Sequence, residues 1–187
     1  MIVDPATGWL ENVRRVESPN SDERPVNATL DLIVVHGISL PPGRFGEGWI
    51  DRFFLNELPA AADAYFATIA EMKVSAHVLV SRSGGLTQYV SFNRRAWHAG
   101  RSVYCGRDAC NDFSVGIELE GTDDLPYMRA QYETLAALVR ALRRAYPSLR
   151  GAEIVGHSDI APGRKTDPGP AFDWGTLHEL LGRKRRT

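Results

Sequence analysis

The stretch Asp31-Leu-Ile-Val-Val-His36 constrains the fold most. Its four apolar residues run without alternation, which suits a strand covered on both faces and ending at His36. The breaker-rich segment Gly37-Ile-Ser-Leu-Pro-Pro-Gly-Arg-Phe-Gly46 follows, so residues 37–47 read as a loop beside that strand end, with a short helical pattern from about Trp49 to Leu58. Its breakers also suggest that Gly37 to Pro42 forms a lid.

Further elements follow from periodicity. Val74–Ser81 and Leu86–Ser91 flank Ser83-Gly84-Gly85 and predict a hairpin, with the Gly-Gly pair supplying positive φ. Ser114–Glu120 alternates Val115, Ile117 and Leu119 against Gly116, Glu118 and Glu120, predicting a strand with one apolar and one polar face. From about Met128 to Tyr146, the residues Tyr132, Leu135, Leu138, Val139 and Leu142 recur at helical spacing. Arg140, Arg143 and Arg144 fall on the outer side, and Pro147 stops the helix. A strand over Glu153–Gly156 then delivers His157, followed by a polar loop over 158–170 and a last helix near Trp174–Leu181.

The length of 187 residues suits one domain. We expect a single unit over 1–187 with its core at about 30–175 and a solvated basic tail at 183–187. With 22 basic and 23 acidic residues, no global field points to nucleic acid or an anionic membrane. The first residues carry neither a basic n-region nor an apolar run, and no stretch approaches the ~20 apolar residues of a membrane span. A cytoplasmic location is expected, and so is a monomer. Two cysteines, Cys105 and Cys110, are too few for a disulfide scaffold and read as free thiols of a reducing compartment.

His36, His157 and Asp167 lie at breaks between predicted elements, far apart in sequence. Two imidazoles and a carboxylate, with a fourth position left to water, form the ligand set of catalytic zinc. The alternative is a pair of polar cap residues at strand ends. Glu118, on the polar face of its strand, suits a general acid/base or a solvent-facing carboxylate. Lys165 suits an oxyanion-stabilising cation or a surface lysine. His77 and His98 read as supporting or pocket-wall residues. A structural site built from His98, Cys105 and Cys110 lacks a fourth ligand.

Several motifs occur in one order: Val35-His36-Gly-Ile-Ser-Leu-Pro-Pro-Gly43, Val74-Ser-Ala-His77, Arg95-Ala-Trp-His-Ala-Gly100, Cys110-Asn-Asp-Phe-Ser-Val-Gly-Ile-Glu-Leu-Glu-Gly-Thr-Asp123, and Gly156-His157 through Arg164-Lys-Thr-Asp-Pro-Gly169. From about Gly8 to Trp174 the chain resembles the bacterial 1,6-anhydro-N-acetylmuramyl-L-alanine amidases of the AmpD type. The resemblance implies an α/β fold, with a central mixed sheet flanked by helices as in peptidoglycan recognition proteins and phage amidase lysozymes. It also implies zinc on His36, His157 and Asp167, an acid/base at Glu118 and an oxyanion-stabilising Lys165.

Substrate contacts are implied at Tyr65, Lys73, Trp97 and Arg107, with His77 and His98 at the pocket wall. The activity implied is cleavage of soluble anhydro-muropeptide in cytoplasmic peptidoglycan recycling, linked to control of β-lactamase induction. A non-catalytic muropeptide-binding module and a phage-type amidase acting on intact wall are the alternatives. In two places the chain departs from the family. Gly37 replaces the usual Asn, removing an amide that could bond substrate, and the loop around Gly163 lacks a common acidic residue.

Overall fold

The computed structural model describes residues 1–182, so the basic tail at 183–187 lies outside the described residues. A six-stranded mixed sheet runs through its centre. Its strands are β1 (Arg14–Arg15), β2 (Leu32–Ile38), β3 (Val78–Val80), β4 (Leu86–Gln88), β5 (Ser114–Glu120) and β6 (Glu153–Gly156), in the spatial order β6-β2-β5-β3-β4-β1. Strands β6, β2, β5 and β3 are mutually parallel, and β4 returns antiparallel to β3 through a hairpin.

As the uninterrupted apolar run predicts, Leu32, Ile33, Val34 and Val35 are fully buried. One face of the sheet carries Ile33, Val35, Val78, Val80, Val115, Ile117, Leu119 and Ile154. It packs against α3 (Arg129–Ala145), whose Leu135, Leu138, Val139 and Leu142 form the expected stripe. Burial of this apolar surface is the main stabilising term of the fold. Gln131, fully buried in the first turn of α3, donates to the carbonyls of Val80 (3.3 Å) and Glu120 (3.0 Å) and ties the helix to the strand ends.

The opposite face is covered by two smaller clusters. Leu32 and Val34 meet Phe113, Cys110 and Ile160, while Leu79 and Tyr89 meet α1 (Trp49–Phe54) and α2 (Ala64–Ile69). Two short helices, α4 (His157–Ile160) and α5 (Trp174–Leu180), complete the described elements of this length. No helix among the described residues is long and apolar enough to cross a membrane.

Several expectations need correction. Strand β5 has no exposed face: all seven of its residues are buried, with Gly116 under the His98 ring, Glu118 at the cavity and Glu120 bonded to the Gly46 and Arg82 N–H groups. Strand β2 continues two residues past His36, so Gly37 and Ile38 belong to the sheet. The hairpin strands are shorter than the apolar runs, since residues 74–77 leave the ladder. Only Gly84 of its Gly-Gly pair takes positive φ (+84°). His157 opens a helical turn where a loop was expected. Helix α2 and the N-terminal pairings, including β1 beside β4 and Ser21–Glu23 beside Arg94–Ala96, were not anticipated.

Leu138 is fully buried between α3 and the sheet, whereas Leu125 is 46% exposed. Leu138→Ala should lower the unfolding free energy by about 2–5 kcal/mol, and Leu125→Ala by no more than about 0.5 kcal/mol. Denaturant midpoints of the two variants measure the difference.

Candidate functional site

Parallel pairing brings the chemistry together. Glu118 of β5 is in register with His36 of β2, and Gly156 of β6 with Val35, so His157 emerges one row on, beside His36. Residues in one row of parallel strands share a face. The carboxyl ends of such strands are where open α/β sheets place ligands. Asp167 arrives from the loop after α4, anchored by its carbonyl, which accepts from the Ser158 N–H at 3.0 Å.

Three donor atoms converge here. His36 Nδ1 lies 2.9 Å from His157 Nδ1, and Asp167 Oδ2 lies 3.3 Å and 3.2 Å from them. The outer ring nitrogens set the tautomers. His157 Nε2 faces the Ala99 carbonyl at 3.3 Å, which only an N–H can satisfy, so its Nδ1 carries a lone pair. For His36, Nε2 faces His98 Nδ1 at 2.9 Å, His98 Nε2 faces Ser114 Oγ at 3.1 Å, and Ser114 donates to the Cys110 carbonyl at 2.5 Å. One orientation of protons satisfies this chain with neutral rings: His36 donates to His98, and His98 to Ser114. It leaves the His36 Nδ1 lone pair facing inward.

Two lone pairs and a carboxylate oxygen therefore face one another with no proton of their own between them. Such an arrangement fits a cation, and its edges approximate the ligand–ligand separation of a tetrahedral site with bonds near 2.0–2.2 Å. His36, His157 and Asp167 also form the one His/Cys/Asp/Glu cluster with metal-binding geometry among the described residues.

Protonation states agree with that role. Burial lowers the His36 imidazole to about 4, against the raising influence of the adjacent Asp167 carboxylate. Burial also holds His98 well below its ordinary value, and neighbouring His36 adds to this. Burial works to raise Asp167, but the two imidazoles facing its Oδ2 outweigh it and hold the carboxylate below its usual range.

Glu118 differs. Burial pushes its carboxyl well above the ordinary range, the charge of Asp167 adds to this, and Lys165 opposes it. Its Oε2 is buried without a hydrogen-bond partner. An orphaned carboxyl oxygen with a raised pKa, close to a candidate metal, is suited to accepting and returning a proton.

These groups lie in a cavity of about 580 Å³. His36, His98, His157, Glu118, Lys165 and Asp167 form its polar floor, while Leu40, Phe53, Phe54, Tyr65, Ile69 and Met72 form an apolar wall. Of the remaining sequence candidates, Tyr65 is brought to the cavity and Lys73 stands exposed between the lining residues Met72 and Val74. The fold does not bring His77, Trp97 or Arg107 to it. His77 is fully buried, its Nδ1 accepting from the Gly116 N–H (3.0 Å) and its Nε2 facing the Arg94 carbonyl (3.1 Å). Trp97 Nε1 donates to Asp22 (3.1 Å), and Arg107 pairs with Asp31 (2.6 Å) over the Phe113 ring. Cys105 is exposed and Cys110 buried, both as free thiols, and the nitrogens of His98 face His36 and Ser114 instead.

Sequence reasoning missed the seat of His98. Gly116 admits its ring, since an added Cβ would stand 2.6 Å from Cδ2. Asn111 Oδ1 fixes the loop by accepting from the His98 and Ala99 N–H groups at 3.1 Å and 2.8 Å. A glycine inside a strand is itself a signal of close approach. Of the apolar wall, Phe53 and Phe54 read as ordinary helix core, Tyr65 was implied by the resemblance alone, and Leu40, Ile69 and Met72 carried no signal.

Comparison with known proteins agrees with this geometry. The 1,6-anhydro-N-acetylmuramyl-L-alanine amidase AmpD of Escherichia coli K12 is 55% identical over 95% of this chain and 96% of its own length. A crystal structure of a selenomethionine derivative of AmpD superposes with a TM-score of 0.93 at 54% identity, covering 97% of this chain and 99% of that one. The E. coli amidase AmiD, solved in complex with the substrate anhydro-N-acetylmuramic acid-L-Ala-D-γ-Glu-L-Lys, matches with a TM-score of 0.59 at 29% identity, over 87% of this chain and 62% of that one. The sequence pattern described as N-acetylmuramoyl-L-alanine amidase matches residues 26–170, and the chain belongs to that family.

Proposed function

We propose that this protein hydrolyses the amide between 1,6-anhydro-N-acetylmuramic acid and L-alanine in soluble muropeptides, with zinc held by His36, His157 and Asp167. The convergence of two unprotonated imidazole nitrogens and a carboxylate beneath a cavity, beside the orphaned Glu118 oxygen, carries this reading. Near-full-length similarity to AmpD supports the choice of bond and substrate.

Bound there, zinc supplies Lewis acidity, polarising the scissile carbonyl and making water acidic near neutral pH. The chain's own groups do the rest. Glu118 takes the proton of the attacking water on its free oxygen and returns it to the departing alanine amine. Lys165, half-buried at the cavity floor, offers positive charge to the oxygen that becomes negative when the carbonyl is attacked. His98 and the Ala99 carbonyl keep both Nδ1 atoms deprotonated and aimed. The wall of Phe53, Phe54, Tyr65 and Ile69 offers apolar surface to the substrate and excludes water. Action in the cytoplasm as a monomer, within peptidoglycan recycling and upstream of β-lactamase induction, completes the proposal.

Purified protein should contain about one zinc per chain. A tight chelator should abolish release of peptide from anhydro-muropeptide, followed by mass spectrometry, and added zinc should restore it. Asp167→Ala should lose both metal and cleavage. Undiminished cleavage in the metal-free protein would refute the mechanism, and cleavage of sacculi without cleavage of soluble muropeptide would refute the substrate.

Glu118→Gln should keep its zinc while kcat falls by about 10²–10⁴-fold. For Lys165→Met, the loss of an oxyanion partner should lower kcat by about 10²–10³-fold. Single-turnover rates of zinc-loaded variants measure both, and wild-type rates would remove these residues from the chemistry.

A further inference from the structure

The loop that carries Asp167 is held by a group with no charge and no place in the donor set. Tyr127, 6% exposed, donates from its hydroxyl to the carbonyl of Pro168 at 3.0 Å, one residue beyond Asp167. Burial pushes its phenol above the ordinary range, so it remains a donor.

Two glycines form the slot that the ring occupies. A Cβ added to Gly37 would overlap the Tyr127 hydroxyl, and one added to Gly121 would stand 2.8 Å from Cζ. The ring also packs edge-on against Phe172 at 5.4 Å and Tyr132 at 6.5 Å. Gly37 follows His36 directly in β2, and Gly121 follows the end of β5. The Tyr127 side chain thus sits between the strand bearing His36, the end of the strand bearing Glu118, and the loop bearing Asp167.

The same loop is gripped at a second point, where the Ala171 N–H donates to the Asp123 carbonyl at 3.0 Å and Gly169 lies against the Asp123 backbone with φ +81°. A side chain at position 37 would point at Tyr127 and away from the row of His36. The Gly37 backbone itself lines the cavity.

We infer that Tyr127 is a positioning residue for the metal centre, with Gly37 and Gly121 as the slot that admits it, setting the place of Asp167 through the Pro168 carbonyl. This inference rests on the metal reading proposed above. Its physical reason is that ligand positions must hold to about ±0.2 Å, while Asp167 is supplied by a loop rather than by the sheet. Groups that bond the supports of metal ligands commonly control affinity.

The test compares wild type, Tyr127→Phe, Gly37→Ala and the double variant by zinc affinity in chelator competition, kcat and KM, and melting of the metal-free protein. Tyr127→Phe should bind zinc about 10-fold more weakly and lose kcat at constant KM, with the metal-free protein still folded. Gly37→Ala should also weaken zinc binding, since its Cβ displaces the hydroxyl. The double variant should bind no more weakly than Tyr127→Phe alone, because removing the hydroxyl makes room for the methyl group.

Wild-type zinc affinity and kcat in folded Tyr127→Phe would overturn the inference. So would strictly additive losses in the double variant. Should Tyr127→Phe not fold, unchanged zinc affinity in Gly37→Ala would overturn it equally. Failure of wild type itself to hold zinc would instead overturn the underlying metal reading, a result distinguishable because it precedes any comparison of variants.

Discussion

The register of three parallel strands is the constraint on which the site depends. Glu118 opposite His36, and Val35 opposite Gly156, fix where two histidines and the glutamate emerge at one end of the sheet. A slip of one residue in either pairing would turn a histidine or the glutamate to the opposite face, against α3. The register is fixed in turn by burial on both faces, since each strand carries apolar side chains that cannot be exposed without large cost. The strength of the hydrophobic core and the placement of the polar site are therefore one problem.

The polar groups depend on that dry frame. The His36 and His98 imidazoles are held neutral by burial, and neutral rings offer lone pairs to a metal. The chain from His36 through His98 and Ser114 to the Cys110 carbonyl shows how a ring is kept in one tautomer by successive hydrogen bonds. Gly116 is the structural condition for it, because the strand surface must be flat where His98 lies. Burial also raises Glu118 while the facing imidazoles lower Asp167, so two carboxylates in one cavity are held in opposite protonation tendencies.

The periphery supplies precision by other means. Asp167 lies in a loop whose anchors are the Ser158 N–H, the Tyr127 hydroxyl and the backbone around Asp123. The 39–48 segment is tied down by Glu120, whose carboxylate accepts from the N–H groups of Gly46 (2.5 Å) and Arg82 (3.1 Å). Glu120 shares the strand face of Glu118 yet serves as an anchor, its oxygens occupied where that of Glu118 is free. Identical residue types two positions apart thus differ in role because their hydrogen-bond partners differ.

By itself, the sequence determined the central strands, the long amphipathic helix and the placing of two histidines near the carboxyl ends of strands. Those features follow from local periodicity and from breakers, which neighbouring residues suffice to reveal. The ordered motifs pointed to His36, His157 and Asp167, which the fold gathers, and to Glu118 beside them. Tertiary structure alone decided which other candidates reach the cavity, because His77, Trp97 and Arg107 are directed by contacts with Gly116, Asp22 and Asp31, far away in sequence. It also decided that the alternating face of β5 is buried, since periodicity reports which residues share a face but not what covers it. The tautomers that leave three acceptors facing one another likewise arise only when Ala99, His98 and Ser114 meet His36 and His157 in space.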